Sequence, residues 1–413
     1  SVLLRLPREL LARATMSSQC DVVIVGGGLA GASLALALDR QGLDVVIVER
    51  GSWAEVQHEN PQTVHDFDAR VSAVAANSWH FLSEQGLDLP SVRRQAYRSM
   101  QVWDGEGTGF VQFDAAELQV SELGAIVENS VLLAALHDKL KQSRVRTLMQ
   151  QEINAIDTTE SEARIELKSG QTWSAQLLVG ADGALSIIRQ YMGVDVVEWP
   201  YGQSAIVATL QTERIHEHVA RQWFLRTGPL AFLPLSHPSD QFVSLVWSAH
   251  EGEAERLMQL EDGDFMDALA HKSEIQLGAI TAVSQRICVP LRQRHAMNYQ
   301  AKRCVLVGDA AHTIHPLAGQ GINLGFADVS VLAEELGRAA QKGLDLGSTL
   351  VLARYQRRRK TDNLVVAGAM EGFVRLFDQQ NPVVRWLRNA GMSTFNQLSP
   401  VKRKVAKIAM GLA

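Results

Sequence analysis

Only three cysteines, Cys20, Cys288 and Cys304, occur in 413 residues, an odd number without Cys-x-x-Cys spacing. That excludes a disulfide framework and predicts buried free thiols in a reducing compartment, since Cys20 and Cys304 lead apolar strand-like runs. No uninterrupted apolar stretch approaches the roughly 20 residues that cross a bilayer, and residues 1–15 lack the continuous apolar stretch of a secretory signal. Neither sign of charge dominates: Lys+Arg 40 against Asp+Glu 45 leaves −5, with a pI near 6.2. A global attraction to nucleic acid is thereby excluded. There is no internal repeat, low-complexity tract or long linker, so the folding units are expected to interleave rather than follow in series. The expected location is the cytoplasm.

What the chain does have is core. At 46% hydrophobic content it can bury two or three folding units. The apolar run Cys20 to Val25, the helical stretch Leu29 to Gln41 and the run Val45 to Val48 form a strand, helix, strand unit. Its first turn reads Gly26-Gly27-Gly28-Leu29-Ala30-Gly31. Gly26 suits a tight turn, Gly28 a close backbone approach to phosphate oxygens, and Gly31 close helix packing. Glu49 ends the second run, 18 residues beyond Gly31, where an acid accepts from an adenosine ribose hydroxyl. Glycines alone equally fit a plain tight turn; the flanking runs and the terminal acid favour a dinucleotide.

A second glycine-rich motif lies far downstream. Cys304 to Val307 reads as a buried strand delivering Asp309 of Gly308-Asp309-Ala310-Ala311-His312, and Gly319-Gln320-Gly321-Ile322-Asn323 opens a helix running toward Gly337. Backbone donors and the positive end of that helix would stabilise negative charge on a reduced flavin. Asp309 as a simple helix cap is the competing reading. Between the two motifs, Leu177 to Ala181 leads into Asp182-Gly183-Ala184-Leu185-Ser186-Ile187-Ile188-Arg189, in which Gly183 permits an unusual backbone angle and Ser186 caps the next turn. Arg70 is read either as a partner of Asp182 near the flavin phosphates or as a surface charge. His312 and His315 read as structural hydrogen-bonding groups rather than acids or bases, and they lack a third metal ligand.

Residues 198–295 carry strand candidates at Ala205–Thr209, Gln222–Phe224, Leu230–Leu235 and Phe242–Trp247, then a helical stretch from Asp264 to Lys272. The expected architecture is α/β: a Rossmann-like FAD-binding domain interleaved with an antiparallel-sheet substrate domain, plus C-terminal helices. Its expected boundaries are 20–197 and 296–378 for the FAD-binding domain, 198–295 for the substrate domain and 379–413 for a basic helical tail.

With Leu123-Gly124-Ala125-Ile126-Val127-Glu128-Asn129, Gly228-Pro229-Leu230-Ala231-Phe232-Leu233-Pro234-Leu235 and His312-Thr313-Ile314-His315-Pro316-Leu317-Ala318-Gly319-Gln320-Gly321, these motifs resemble the ubiquinone-biosynthesis FAD-dependent hydroxylases, within the larger class of aromatic flavoprotein monooxygenases. The resemblance covers almost everything from Asp21 onward. It implies cofactor contacts at Gly26, Gly28, Gly31, Glu49, Arg70, Asn129, Asp182, Asp309, Gly319, Gln320, Gly321, Ile322 and Asn323. It implies that NAD(P)H, as a transient electron donor, reduces FAD and that O2 supplies a hydroxyl to a polyprenylated phenol or benzoquinol, without a metal. Trp223, Phe232, Pro234, Leu235 and Pro316 become candidates for lining the ring site, with ordinary core packing as the alternative for the aromatics. No second nucleotide fingerprint accommodates NAD(P)H.

A prenyl-chain reductase shares both glycine motifs and is the enzymatic rival; a non-catalytic flavoprotein scaffold of a quinone-synthesis complex is the other. Past Asp378 the tail has no acid but carries Arg385, Arg388, Lys402, Arg403, Lys404 and Lys407 among apolar residues, a pattern for an anionic inner-membrane surface, a partner, or packing on its own enzyme. Arg5, Arg8 and Arg13 sit among leucines before Met16, a segment read as an extension upstream of a natural start.

Overall fold

Val22 to Val25 and Val45 to Val48 are unbroken runs of valine and isoleucine and are buried on both faces, which is what a central parallel strand requires. The computed structural model describes residues 18–56, 60–89, 93–105, 107–313, 321–378 and 392. The strands run, across the first sheet, Gln300–Ala301, Cys304–Leu306, Thr172–Gly180, Ser18–Val25, Val45–Val48 and Arg146–Leu148. From Cys304–Leu306 to Arg146–Leu148 every pairing is parallel; the hairpin Ile153–Thr158 and Ala163–Leu167 adds antiparallel strands beside Thr172–Gly180. Helices Leu29–Arg40, Asn129–Gln142 and Gly321–Gln341 bury their apolar residues in the same core.

The second sheet orders His312–Thr313, Ile287–Ala296, Val196–Thr212, Phe242–His250, Gly228–Pro234, Val219–Leu225, Ser99–Asp104 and Phe110–Asp114. All its pairings are antiparallel except Val219–Leu225 with Ser99–Asp104. Strands Ser99–Asp104 and Phe110–Asp114, which lie inside the 20–197 segment, thus complete the sheet of the 198–295 segment.

The two faces of this sheet are covered differently. Helices Glu251–Gln259 and Asp262–Lys272 pack on one, where Trp223, Phe232, Leu245, Trp247, Leu257 and Phe265 form a single cluster. The other bears Ala220, Ala231, Leu233, Leu235 and Phe242 and rests on Val64, Phe67, Ala73 and Ile126. Ala73 and Ile126 belong to a small antiparallel sheet of Val71–Ala75, Gly124–Glu128 and Arg94–Tyr97 that lies between the large sheets.

The cysteines are free, but Cys304 alone is buried: Cys20 is half-buried and Cys288 exposed. Strand Ile287–Ala296 turns its first two residues outward, which an apolar neighbourhood in sequence does not reveal. Among the described residues no helix is long and apolar enough to cross a membrane. The 379–413 tail apart from Met392, residues 1–17 and the segment 314–320, which holds His315, Pro316, Gly319 and Gln320, lie outside the described residues.

Candidate active site

The first turn is built by steric necessity. Gly26 has φ +104°, and a Cβ there would meet the Ala181 carbonyl oxygen at 2.3 Å; one on Gly31 would sit 1.9 Å from the Gly26 carbonyl oxygen. Helix Leu29–Arg40 therefore starts against the end of strand Thr172–Gly180. Gly28 is different, since a Cβ there would meet nothing within 4 Å. It opens a helix with neither a side-chain cap nor an acid in its first turn, leaving N–H groups free for an anion.

Glu49 reaches this turn from the next strand. Its Oε2 accepts the Gly27 N–H at 2.6 Å and its Oε1 accepts the Gly51 N–H, so the carboxylate that was expected to meet a ribose hydroxyl also fixes the loop. A residue that sequence reasoning passed over holds the other side of the same peptide: His137 donates from Nε2 to the Gly27 carbonyl at 2.7 Å and accepts the Ala54 N–H on Nδ1 at 2.9 Å. Both ring nitrogens are satisfied by a neutral imidazole. The only signal in the sequence is a polar residue at an inward position of helix Asn129–Gln142.

At the end of strand Thr172–Gly180, Asp182 accepts the N–H groups of Ile187 and Ile188 on Oδ2, while Ser186 accepts that of Arg189 at 3.0 Å. Gly183 takes φ +79°. Burial pushes the Asp182 carboxyl up despite these hydrogen bonds, and its buried Oδ1 has no partner. Arg70 does not supply one: it is exposed, its own N–H engages Asp68 at 3.0 Å, and no ion pair joins it to Asp182. The arginine that matters is Arg189, whose Nη1 donates to Ala310 at 2.8 Å and Nη2 to Ala184 at 2.7 Å, tying this loop to the Gly308–Ala310 turn.

That turn carries Asp309. The residue is exposed, yet surrounding protein pushes its carboxyl up by desolvation. Behind the turn, the fully buried Asp328 accepts from Gly308 N–H at 3.1 Å, His312 Nε2 at 2.5 Å, Arg359 Nε at 2.8 Å and Asn363 Nδ2 at 3.1 Å. Burial alone would raise Asp328, but the charges and hydrogen bonds of His312 and Arg359 hold it below the ordinary carboxylate range. His312 is therefore a buried support.

Helix Gly321–Gln341 begins beside the small central sheet. Asn323 Oδ1 accepts the Ala75 N–H and its Nδ2 donates to the Ala73 carbonyl, each at 2.9 Å, as a neighbouring strand would. Asn129 accepts the Ser72 hydroxyl at 2.6 Å on the same strand. Gly321 and Ile322 stand at the start of this helix, respectively exposed and half-buried.

The residues present fit a flavin dinucleotide: Gly28 leaves an open cradle, the helix N–H groups are uncapped, Asp182 has an orphaned oxygen, and Arg189 ties its loop to the turn of Asp309. The ring-lining candidates divide. Trp223 and Phe232 are 0% and 1% exposed within the helix-covered cluster, and Pro234 pairs with Val243 of that face, so these three are core packing. Leu235 is equally buried, at 2%, but on the opposite face, against Val64, Phe67 and Ala73 of the side that meets the small central sheet. A possible metal group, His216, His218 and Asp240, brings donor atoms within 4.8 Å. However, His216 donates from Nε2 to the Leu235 carbonyl and accepts the His218 N–H on Nδ1, both at 3.1 Å, which leaves it no lone pair for an ion.

Known proteins agree with this geometry. The model of the FAD binding domain family matches residues 19–362. Over 395 residues the chain is 36% identical to the 3-demethoxyubiquinol 3-hydroxylase of Escherichia coli, covering 95% of this chain and 98% of that one. It is 33% identical over 462 residues to the mitochondrial ubiquinone biosynthesis monooxygenase COQ6 of Xenopus tropicalis, covering 99% and 98%. The crystal structure of pqsL, a probable FAD-dependent monooxygenase from Pseudomonas aeruginosa, superposes with a TM-score of 0.75 at 23% identity over 91% of this chain and 100% of that one, and so shares its fold. The chain belongs to the FAD-binding family that contains the ubiquinone-biosynthesis monooxygenases.

Proposed function

We propose that this protein is an FAD-dependent monooxygenase that uses NAD(P)H and O2 to hydroxylate the aromatic ring of a polyprenylated phenol or benzoquinol in ubiquinone biosynthesis. The observation that carries this reading is that Arg189 ties the Asp182 loop to the turn bearing Asp309, together with relatives named for that pathway over nearly the whole chain.

Bound FAD would supply the redox chemistry, being reducible by NAD(P)H and then reactive toward O2. The first-turn N–H groups from Leu29 onward would hold its pyrophosphate, and Glu49, which now accepts loop N–H groups, would accept from its ribose. Asp309 would accept from its ribityl chain, with Arg189 tying the Asp309 turn to the Asp182 loop. The face bearing Ala231, Leu233 and Leu235 excludes water from the ring, and the low polarity strengthens every hydrogen bond made to it. The basic tail holds the enzyme at an anionic membrane surface, peripheral to the inner membrane, where an apolar prenyl chain resides; each buried methylene of that chain is worth about 0.8 kcal/mol.

The test is anaerobic reduction of the bound flavin by NADPH and by NADH, with and without a short-chain 2-prenylphenol, followed by aerobic turnover under labelled oxygen. A phenol-accelerated reduction and one labelled oxygen in the product are expected. Reduction indifferent to phenols, or a product that gains hydrogen instead of oxygen, would replace the monooxygenase by a reductase; no reduction by either donor would leave a scaffold.

A further inference from the structure

The side of the large sheet that faces the small central sheet carries one row of cross-strand neighbours through Val207, Val246, Ala231, Gln222, Val102 and Val111. Five of the six are aliphatic. Gln222 alone is polar, and its side is fixed by the two-residue period of a strand: Trp223 and Leu225 point into the helix-covered cluster, Ala220 into the cluster shared with Phe67 and Ala73. No bulge interrupts the pairing of Val219–Leu225 with either neighbour.

Gln222 is only 3% exposed, and among the described residues its side-chain amide has no hydrogen-bond partner. Neither amide atom is among the fully buried atoms that lack a partner, so the residue's small exposure includes its amide, which reaches open space with no group of the protein to bond. Val207, Val246 and Val102 in the same row are half-buried rather than sealed, so the row borders space instead of solid packing. One amide in an aliphatic wall has the chemistry to recognise a flat, apolar ligand that carries oxygen at one point.

The geometry points to Gln222 as the residue that recognises the ring oxygen of the aromatic substrate, an inference that rests on the monooxygenase reading above. Its carbonyl accepts from a phenol hydroxyl, and its NH2 donates to a quinol or ether oxygen. The valines on either side contact the ring and the start of its hydrocarbon chain. Gln222 is thus a specificity-determining group: it orients the oxygen-bearing carbon, and through it the carbon presented for attack.

The test uses the FAD-loaded full chain. A short-chain 2-prenylphenol and the corresponding prenylbenzene, which lacks the hydroxyl, are titrated against the oxidised-flavin absorbance of the wild type, Gln222→Met and Gln222→Leu. The wild type is expected to prefer the phenol by about tenfold, the worth of a single buried hydrogen bond. Both variants are expected to bring that preference within about twofold while binding prenylbenzene as before, and to raise KM for the phenol more than they lower kcat. An undiminished preference in both variants, with wild-type turnover intact, overturns the inference alone. A wild type that binds neither ligand and forms no hydroxylated product overturns the monooxygenase reading and this inference with it.

Discussion

The Arg189 guanidinium donates to the Ala310 carbonyl across 121 residues of sequence, at 2.8 Å. Through it the loop after strand Thr172–Gly180 and the turn that presents Asp309 move as one body. Arg189→Met is expected to destabilise the protein by about 2–3 kcal/mol, the range for a buried charged hydrogen bond. Released flavin after gel filtration is expected to rise with it. Denaturant midpoints with and without added FAD check both, and an unchanged flavin content would confine Arg189 to stability.

Gly28 and Gly31 separate folding from cofactor binding. Gly31→Ala forces a Cβ to within 1.9 Å of the Gly26 carbonyl and is expected to give insoluble or apo protein. Gly28→Ala has room, with nothing within 4 Å, so its thermal midpoint without FAD should match the wild type, with FAD affinity falling at least about tenfold as the methyl group occupies the phosphate approach. Equal behaviour of the two variants would contradict an open cradle at Gly28.

Trp223 packs under the helices, stacked on Trp103 with ring centroids 4.9 Å apart. Trp223→Ala is expected to cost about 3–5 kcal/mol of stability and to leave the phenol KM of the surviving folded fraction unchanged. A shifted KM at normal flavin content would return Trp223 to the ring site.

His216 and His295 are pushed by burial from 6.5 down to about 4. Their folded values lie below the unfolded value, so between these limits the unfolded chain binds more protons, and stability falls as pH drops through that window. The slope is about 1.4 kcal/mol per pH unit for each histidine. Urea midpoints at pH 7, 6 and 5 should decline, less steeply in His295→Gln; equal slopes for the two proteins would mean that His295 is not held neutral.

The tight first turn and the turn after Asp182 were legible in the sequence because close backbone contacts demand glycine: Gly26 and Gly31 have no space for a side chain, and Gly183 sits at positive φ. The ring site was not. Alternation along Val219–Leu225 and from Gly228 to Leu235 separates Trp223, Phe232 and Pro234 from Ala231 and Leu235, but which set lies under helices Glu251–Gln259 and Asp262–Lys272 is not legible in the strands. Size and aromaticity in the sequence do not distinguish a ring-lining face from one packed under helices, which is why the aromatics fitted core packing as well as ring contact. Arg70 was expected beside Asp182, and Arg189, though in the same motif, was given no role of its own, because sequence says nothing about a carbonyl 121 residues away. The placement of Ser99–Asp104 in the second sheet depends on an equally distant partner, Val219–Leu225.

Strand Ser18–Val25 leaves the ribosome first, yet one of its neighbours is Thr172–Gly180, and beyond that lies Cys304–Leu306. A nascent chain that ends before residue 304 can close neither the parallel sheet nor the Asp309 turn, and helix Gly321–Gln341 is still unmade. Assembly so dominated by distant pairings is slow, and it leaves valine-rich edges open until Cys304–Leu306 has been made. Capture of flavin is therefore a late event in the life of each molecule, and truncation after the second sheet would yield a chaperone client rather than a smaller enzyme.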